Sequence, residues 1–427
     1  MSLHADDLPD VLAVTPLTSP PDVALRPPGS KSITNRALIC AALAPGRSTL
    51  TGVLFADDTR AMLDAVRALG ANLTLDEAAR TVVVDGVDPR TASGEIRIDA
   101  RQSGTTSRFI LPAAALRPAR GVVDGTPQLR ARPFAALVVA LRELGATVED
   151  LGEAGYLPVA VTGPVAGGKV ALPGHISSQY LSGLLMAGPL MAEGLTVELT
   201  SPLVSVPYVE ATAAVMAAFG VPVEGLTVQP GAYRPTDFDI EPDASAASYL
   251  LAAAAVAGGR VTVEGLGTRS LQGDVRFADL LERMGARVER SADRITVTGT
   301  GELHGIDVDM ADISDTAQTL AMVAVFADSP TSVRGIGFIR GKETDRIGAV
   351  VTELRRAGIE AEEDEDGFTI HPGPPQPTAF DTYEDHRMAM SLALLGLRAP
   401  GIEIRDPRCV AKTYPTYFAD LARLAGA

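Results

Sequence analysis

The sequence predicts an α/β protein built from two similar halves of three supersecondary repeats each. Three observations carry that prediction. Six Ala/Leu-rich helical runs open on small polar or charged residues: Ser30-Lys31-Ser32, Gly104-Thr105-Thr106, Ser177-Ser178-Gln179, Asp243-Ala244-Ser245, Ser314-Asp315-Thr316 and Glu384-Asp385-His386-Arg387. Successive openings lie about 70 residues apart, the period of repeated supersecondary units. A second helix recurs between them and stops at Gly70, Gly145, Gly220, Gly285 and Gly358, with Leu424 to Gly426 as a shortened sixth end. Finally, the loop Gln229-Pro230-Gly231-Ala232-Tyr233-Arg234-Pro235 falls after the third repeat, where a domain split is natural.

Each repeat reads as strand, buried helix, strand, amphipathic helix and two strands. The first helix type is apolar on nearly every face, as in Ala37 to Ala44, Leu250 to Ala257 and Leu392 to Leu397, which predicts burial. Counting back four and eight positions from the stop glycines gives Val66/Met62, Leu141/Leu137, Met216/Thr212, Leu281/Phe277 and Leu354/Val350. That is a one-sided stripe ending on a C′ glycine. β-Prone stretches follow, such as Thr147-Val148-Glu149, Arg287-Val288-Glu289 and Ile359-Glu360-Ala361, then second strands such as Thr81 to Val84 and Arg294 to Val297. The expected domains are residues 29–240 and residues 1–28 with 241–427, the N-terminal segment lending a strand to the second. The active site is expected in the cleft between them.

Composition narrows the function. A 46% hydrophobic content over 427 residues supports large cores. The net charge of −16 excludes general binding to nucleic acid or anionic membranes. Cys40 and Cys409 lie in no metal-binding spacing, so a reducing cytoplasm is expected, with no metal. No apolar run reaches the ~20 residues of a membrane span, and the acidic N-terminus with Asp6, Asp7 and Asp10 does not read as a signal peptide.

Against that acidic background, cations gather at helix starts. Lys31 and Arg36 flank one opening, Arg130-Ala131-Arg132-Pro133 lies in the second repeat, Lys342 and Arg346 are spaced i, i+4, and Arg387 and Lys412 stand in the last repeat. Helix N-termini favour acids, so basic residues there suit an incoming phosphate or carboxylate. The segment is not a Walker loop, because Ser30 separates Gly29 from Lys31. Taken singly, Ser32, Thr105, Ser177 and Asp315 read as plain N-caps, and Arg132 and Arg387 as surface ion-pair partners. Their recurrence at equivalent repeat positions points instead to a shared anion site.

The chain resembles the 3-phosphoshikimate 1-carboxyvinyltransferases (EPSP synthases) of the bacterial type. The likeness rests on Pro28-Gly29-Ser30-Lys31-Ser32 with Asn35-Arg36, Ser103-Gly104-Thr105-Thr106-Ser107-Arg108, Ser177-Ser178-Gln179, Lys342-Glu343-Thr344-Asp345-Arg346, Asp385-His386-Arg387-Met388-Ala389-Met390, and Asp406-Pro407-Arg408-Cys409 with Ala411-Lys412-Thr413. It implies the inside-out α/β barrel of the enolpyruvyl transferases, three βαβαββ units per domain. It also implies transfer of the enolpyruvyl group of phosphoenolpyruvate to the 5-hydroxyl of shikimate 3-phosphate, without cofactor, by a monomer.

By resemblance, shikimate 3-phosphate is bound by Lys31, Ser32, Arg36, Ser177, Ser178, Gln179, Ser205, Tyr208, Asp315 and Lys342. Phosphoenolpyruvate is bound by Lys31, Gly104, Arg132, Gln179, Arg346, Arg387 and Lys412. Asp315 is the implied base and Glu343 the implied acid, with Lys31 and Lys412 assisting. Gly104 leaves room for the family inhibitor glyphosate. Phe338 departs from the pattern, since many relatives have Asn four residues before the lysine of the Lys-Glu-Thr-Asp-Arg segment. Two alternatives are the sister transferase acting on UDP-N-acetylglucosamine, which typically pairs Lys-Asn with a reactive loop cysteine, and a non-catalytic phosphometabolite-binding protein. The first lacks its cysteine in the Gly125 to Pro133 region, and the second has no use for Asp315 and Glu343.

Overall fold

The computed structural model describes residues 3–425, so Gly426 of the expected sixth helix end lies outside the described residues. The chain forms two compact units, Gly29–Glu241 (the first unit) and Met1–Pro28 with Pro242–Ala427 (the second).

Two N-terminal strands, β1 (Val11–Val14) and β2 (Asp22–Leu25), precede the repeats. The first repeat contains α1 (Lys31–Ala42), β3 (Gly46–Thr51), α2 (Asp57–Leu69), β4 (Asn72–Asp76) and β5 (Thr81–Gly86). The second contains β6 (Ile96–Asp99), α3 (Gly104–Ala114), β7 (Gly121–Asp124), the short α4 (Pro127–Arg130), α5 (Ala135–Glu143), β8 (Thr147–Asp150) and β9 (Val159–Thr162). The third has β10 (Gly168–Leu172), α6 (Ser178–Ala187), β11 (Leu195–Leu199), α7 (Val206–Ala218), β12 (Thr227–Val228) and β13 (Phe238–Asp239).

The second unit repeats the plan. Its first repeat has α8 (Ala244–Ala257), β14 (Arg260–Glu264), α9 (Phe277–Arg283), β15 (Arg287–Arg290) and β16 (Arg294–Thr298). Next come β17 (Asp307–Asp309), α10 (Ala317–Ala324), β18 (Thr331–Arg334), α11 (Arg346–Arg356), β19 (Ala361–Glu363) and β20 (Phe368–Ile370). The last has β21 (Thr378–Phe380), α12 (His386–Ala393), β22 (Ile402–Arg405) and α13 (Tyr417–Arg423).

Each full repeat makes one four-stranded sheet, for example β6-β7-β9-β8 and β17-β18-β20-β19. The strands before and after the buried helix run parallel, as in Ile98↔Val123, and the final hairpin is antiparallel, as in Val148↔Val161. The third and sixth sheets have only three strands. In the first unit the reason is that β13 leaves the third repeat and pairs in parallel with β3, Phe238 opposite Leu50. The second unit is completed from the N-terminus, and here the expectation of one lent strand needs correction: there are two. β2 pairs in parallel with β14 and β1 pairs antiparallel with β22.

The five stop glycines all take positive φ (Gly70 113°, Gly145 99°, Gly220 84°, Gly285 107°, Gly358 77°), the left-handed conformation that ends a helix most cheaply on glycine. All ten stripe residues counted back from them are 0% exposed. Every residue of α3, α10 and α12 is buried, as is all of α8 but its last. These helices have no solvent face, so each unit's core is assembled around them.

Gly183 shows how closely they pack. A Cβ placed there would run into the backbone carbonyl of Arg108, so only glycine lets α6 lie this near α3. Gly183→Ala is expected to lower the stability of the first unit by about 1–3 kcal/mol through overpacking. A thermal melt of the variant beside the unchanged protein measures the shift.

Candidate active site

In the first unit, one chain of polar contacts ties together the starts of α1, α2, α3 and α6. Ser30 and Ser103 cap α1 and α3 by accepting the N–H groups of Ile33 and Thr106, and Ser177 caps α6 through the N–H of Gln179. Of the four residues that read singly as caps, only Ser177 is one. Ser32 and Thr105 sit inside the first turn and Asp315 in a 3₁₀ turn, which leaves their side chains available for other partners.

Lys31 reaches the buried Asp58 of α2 at 3.5 Å, and Thr106 Oγ1 donates to the Asp58 carbonyl at 3.2 Å. Arg108 donates to Gln179 Oε1 at 2.7 Å, while Gln179 Nε2 donates to Thr105 Oγ1 at 3.2 Å. The buried Arg132 lies beside Gly104: a Cβ on Gly104 would stand 3.0 Å from Arg132 Nη1 and 3.3 Å from Arg108 Nη1. Lys31, Gly104, Arg132 and Gln179 are thus brought to one end of the helix cluster.

Arg36, implied by the resemblance to bind shikimate 3-phosphate, is 2% exposed and hydrogen-bonded within the first unit. Its Nε donates to Thr212 Oγ1 at 2.7 Å, and its two Nη groups donate to the carbonyls of Ser32 and Tyr208 at 2.9 Å each. Burial pushes its guanidinium down to about 10, so it stays protonated at neutral pH. It locks α1 to α7, fixing Ser32 and Tyr208. Ser205, just before α7, is buried with a left-handed φ of 55°. Ser178 is buried at the start of α6.

In the second unit the chemistry centres on Arg346, 2% exposed, at the first position of α11. It donates to Asp385 from Nε at 2.8 Å, to Asp315 from Nη1 at 3.1 Å and to Glu343 from Nη2 at 2.7 Å. Burial pulls its guanidinium down, but the charges of Asp385, Glu343 and Asp315 outweigh that and hold it above the ordinary arginine range. Arg387 donates to the other oxygen of Asp315 at 2.7 Å, and Lys412 to Glu343 at 2.8 Å. Asp315, Glu343, Arg346, Arg387 and Lys412 therefore form one alternating network of acids and cations.

The start of α11 differs from expectation. Lys342 and Arg346 do not share a helix face: Asp345 caps α11 by accepting the N–H groups of Ile347 and Gly348, so Lys342 stays in the preceding loop. There its Nζ lies 5.9 Å from the centre of the Phe338 ring, a cation–π contact.

Sequence reasoning passed over four contributors. Asp58 looks like an ordinary first-turn acid, and Arg108 closes the Ser-Gly-Thr-Thr-Ser-Arg motif like a structural arginine. Tyr249 looks like core: it is fully buried, receives Arg387 Nη1 at 3.5 Å, and burial pushes its phenol up to about 12, keeping the hydroxyl neutral. Asp385, 0% exposed, both caps α12 through the Arg387 N–H and holds Arg346. Asp385 and Arg108 carry a sequence signal, in the Asp-His-Arg and Ser-Gly-Thr-Thr-Ser-Arg motifs, whereas Asp58 and Tyr249 carry none.

A fold of six such repeats, with acids and cations interleaved at helix starts, defines the enolpyruvyl transferase class. Solved structures agree: an EPSP synthase from Acinetobacter baumannii superposes with a TM-score of 0.81 at 27% identity, covering 97% of this chain and 98% of that one. The enolpyruvyl transferase NikO from Streptomyces tendae shares the fold, with a TM-score of 0.76 at 21% identity over 97% of each chain. The family model for EPSP synthase (3-phosphoshikimate 1-carboxyvinyltransferase) matches residues 19–421, and the chain belongs to that family. The 3-phosphoshikimate 1-carboxyvinyltransferase of a Nostoc species is 44% identical over 96% of this chain and 98% of the relative. That of Serratia proteamaculans is 44% identical over 93% and 95%.

Because Asp385 caps one helix and balances a buried cation, Asp385→Ala is expected to cost about 3–5 kcal/mol, the penalty for breaking a buried ion pair. Denaturant unfolding of the variant measures it, and an unchanged midpoint contradicts the assignment.

Proposed function

We propose that the protein transfers the enolpyruvyl group of phosphoenolpyruvate to the 5-hydroxyl of shikimate 3-phosphate, giving 5-enolpyruvylshikimate 3-phosphate and inorganic phosphate. The carrying observation is the network in which Arg346, Arg387 and Lys412 each contact Asp315 or Glu343. It supplies cations for a polyanion and two carboxylates for proton transfer in one place. A single chain carries every residue named in this reading, so no second copy is needed.

In this reading Lys31, Ser32, Ser177, Ser178, Gln179, Ser205, Tyr208, Asp315 and Lys342 hold shikimate 3-phosphate. Arg36 contributes by fixing Ser32 and Tyr208. Gly104, Arg132, Arg346, Arg387 and Lys412, with Lys31 and Gln179, hold phosphoenolpyruvate, the arginine forks suiting carboxylate and phosphate oxygens. Asp315 takes the proton of the 5-hydroxyl as its oxygen bonds to C2 of phosphoenolpyruvate, and Glu343 protonates C3. Glu343, left as a carboxylate, takes back a C3 proton from the resulting tetrahedral ketal, restoring the double bond as the C2–O bond to phosphate breaks. Lys31 and Lys412 balance the departing phosphate.

The contacts set a condition on this acid. Two cations against Glu343 favour its ionised form, so proton donation requires the substrate's anionic groups to draw Arg346 and Lys412 away. Substrate binding thereby arms the acid.

The reading against UDP-N-acetylglucosamine is supported by both thiols. Burial pushes Cys40 up to about 12, and burial followed by the Asp406 charge pushes Cys409 higher still, so neither is a ready nucleophile. Both are free, which suits a reducing cytoplasm, and among the described residues no helix is long and apolar enough to cross a membrane.

Phosphate release is expected with phosphoenolpyruvate plus shikimate 3-phosphate and not with UDP-N-acetylglucosamine in its place; the reverse result installs the sister activity, and silence in both a binding protein. Glu343→Gln is expected to lose turnover by about 10²–10⁴-fold, the range of general acid–base catalysis, while still binding both substrates by calorimetry. Glyphosate is expected to compete with phosphoenolpyruvate. Gly104→Ala displaces the guanidinium ends of Arg132 and Arg108 rather than backbone, so it should fold normally yet weaken glyphosate inhibition. Unchanged inhibition contradicts that placement.

A further inference from the structure

Beyond the residues already assigned, a second set of charged contacts joins α11 to the segment leading into α12. Glu353 lies in the middle of α11 and is 0% exposed. Its Oε1 accepts the Tyr383 hydroxyl at 2.7 Å, and its Oε2 accepts the Asp381 N–H at 3.1 Å and Arg356 Nη1 at 2.6 Å. Arg356 also donates to the Asp381 carboxylate at 2.9 Å and the Ala379 carbonyl at 2.8 Å. A buried carboxylate with three donors is neither a surface charge nor a helix cap.

The segment it grips is strained. Tyr383 (φ 56°) and Glu384 (φ 54°) are consecutive left-handed residues, and neither is glycine. Non-glycine residues enter this region mostly one at a time, and two in succession persist only where the surroundings impose them. The next residue is Asp385, which holds Arg346 and caps the helix bearing Arg387. Helix α11 therefore grips the 379–385 segment at both ends, through Glu353 and Arg356 at one and Arg346 at the other.

We propose that Glu353 and Tyr383 are positioning residues for phosphoenolpyruvate: together they impose the left-handed turn that sets Asp385, and through it Arg346 and Arg387, for the substrate's anionic groups. This rests on the assignment of those arginines to phosphoenolpyruvate. Neither residue contacts the reacting atoms. Their effect passes through Asp385 and falls mainly on the KM for phosphoenolpyruvate, with a smaller change in the KM for shikimate 3-phosphate through Asp315, which the same arginines hold.

The test is steady-state kinetics with both substrates, alongside thermal melts, for Tyr383→Phe, Glu353→Leu and Glu353→Gln. Tyr383→Phe removes one hydrogen bond and is expected to raise the phosphoenolpyruvate KM about fivefold, with the other KM within about twofold. Glu353→Leu removes all three acceptor contacts and is expected to raise it at least about tenfold, whereas Glu353→Gln keeps one accepting oxygen for the Asp381 N–H and turns its amide N–H toward the Tyr383 hydroxyl oxygen, and stays within about threefold. Should Glu353→Leu fail to fold, Tyr383→Phe decides. With an active unsubstituted protein, variants that only lower the melting temperature, or that raise both KM values equally, overturn the proposal. An unsubstituted protein inactive on this substrate pair removes the assignment of the arginines, and the proposal falls with it.

Discussion

A helix buried along its whole length meets water only at its ends, and its first turn carries N–H groups with no partner in the helix. That constraint organises this protein. Six apolar helices form the centres of two units, and their starts must be polar: Ser30, Ser103, Ser177, Asp243 and Asp385 cap five of them directly, and a 3₁₀ turn at Ser314–Thr316 leads into the sixth. Caps use one residue at each start, so the neighbouring positions are left for chemistry. The sites follow from the same burial that stabilises the cores.

Placing cations at those positive helix ends is unfavourable unless negative charge is brought to them. The protein supplies it with carboxylates: Asp58 beside Lys31, and Asp315, Glu343 and Asp385 around Arg346. On the proposed reading, an anionic substrate competes with these acids for the same cations, and a carboxylate released from its cations accepts or holds a proton more readily.

The repeat plan was readable because burial and helix stops leave strong marks on a sequence. Apolar runs without a polar face marked the central helices, and Gly70, Gly145, Gly220, Gly285 and Gly358 marked the ends of the outer ones. What local pattern could not supply was strand partnership. β1, β2 and β13 pair with sheets of repeats distant in sequence, and nothing in their few residues names the partner. Local pattern also misplaced the start of α11, where Asp345 rather than Lys342 opens the helix.

The sequence by itself determined the repeat, the burial of the central helices, the family and the set of ionisable residues, since these depend on residue type and spacing. Only the tertiary structure decided which acid meets which cation. Arg36 ties α1 to α7 through Thr212 and the Tyr208 carbonyl, and Tyr249, Asp58 and Glu353, which local spacing does not single out, are partners of charged groups. Pairings across tens or hundreds of residues depend on where separate helices cross, and that is set by packing, which no local spacing records.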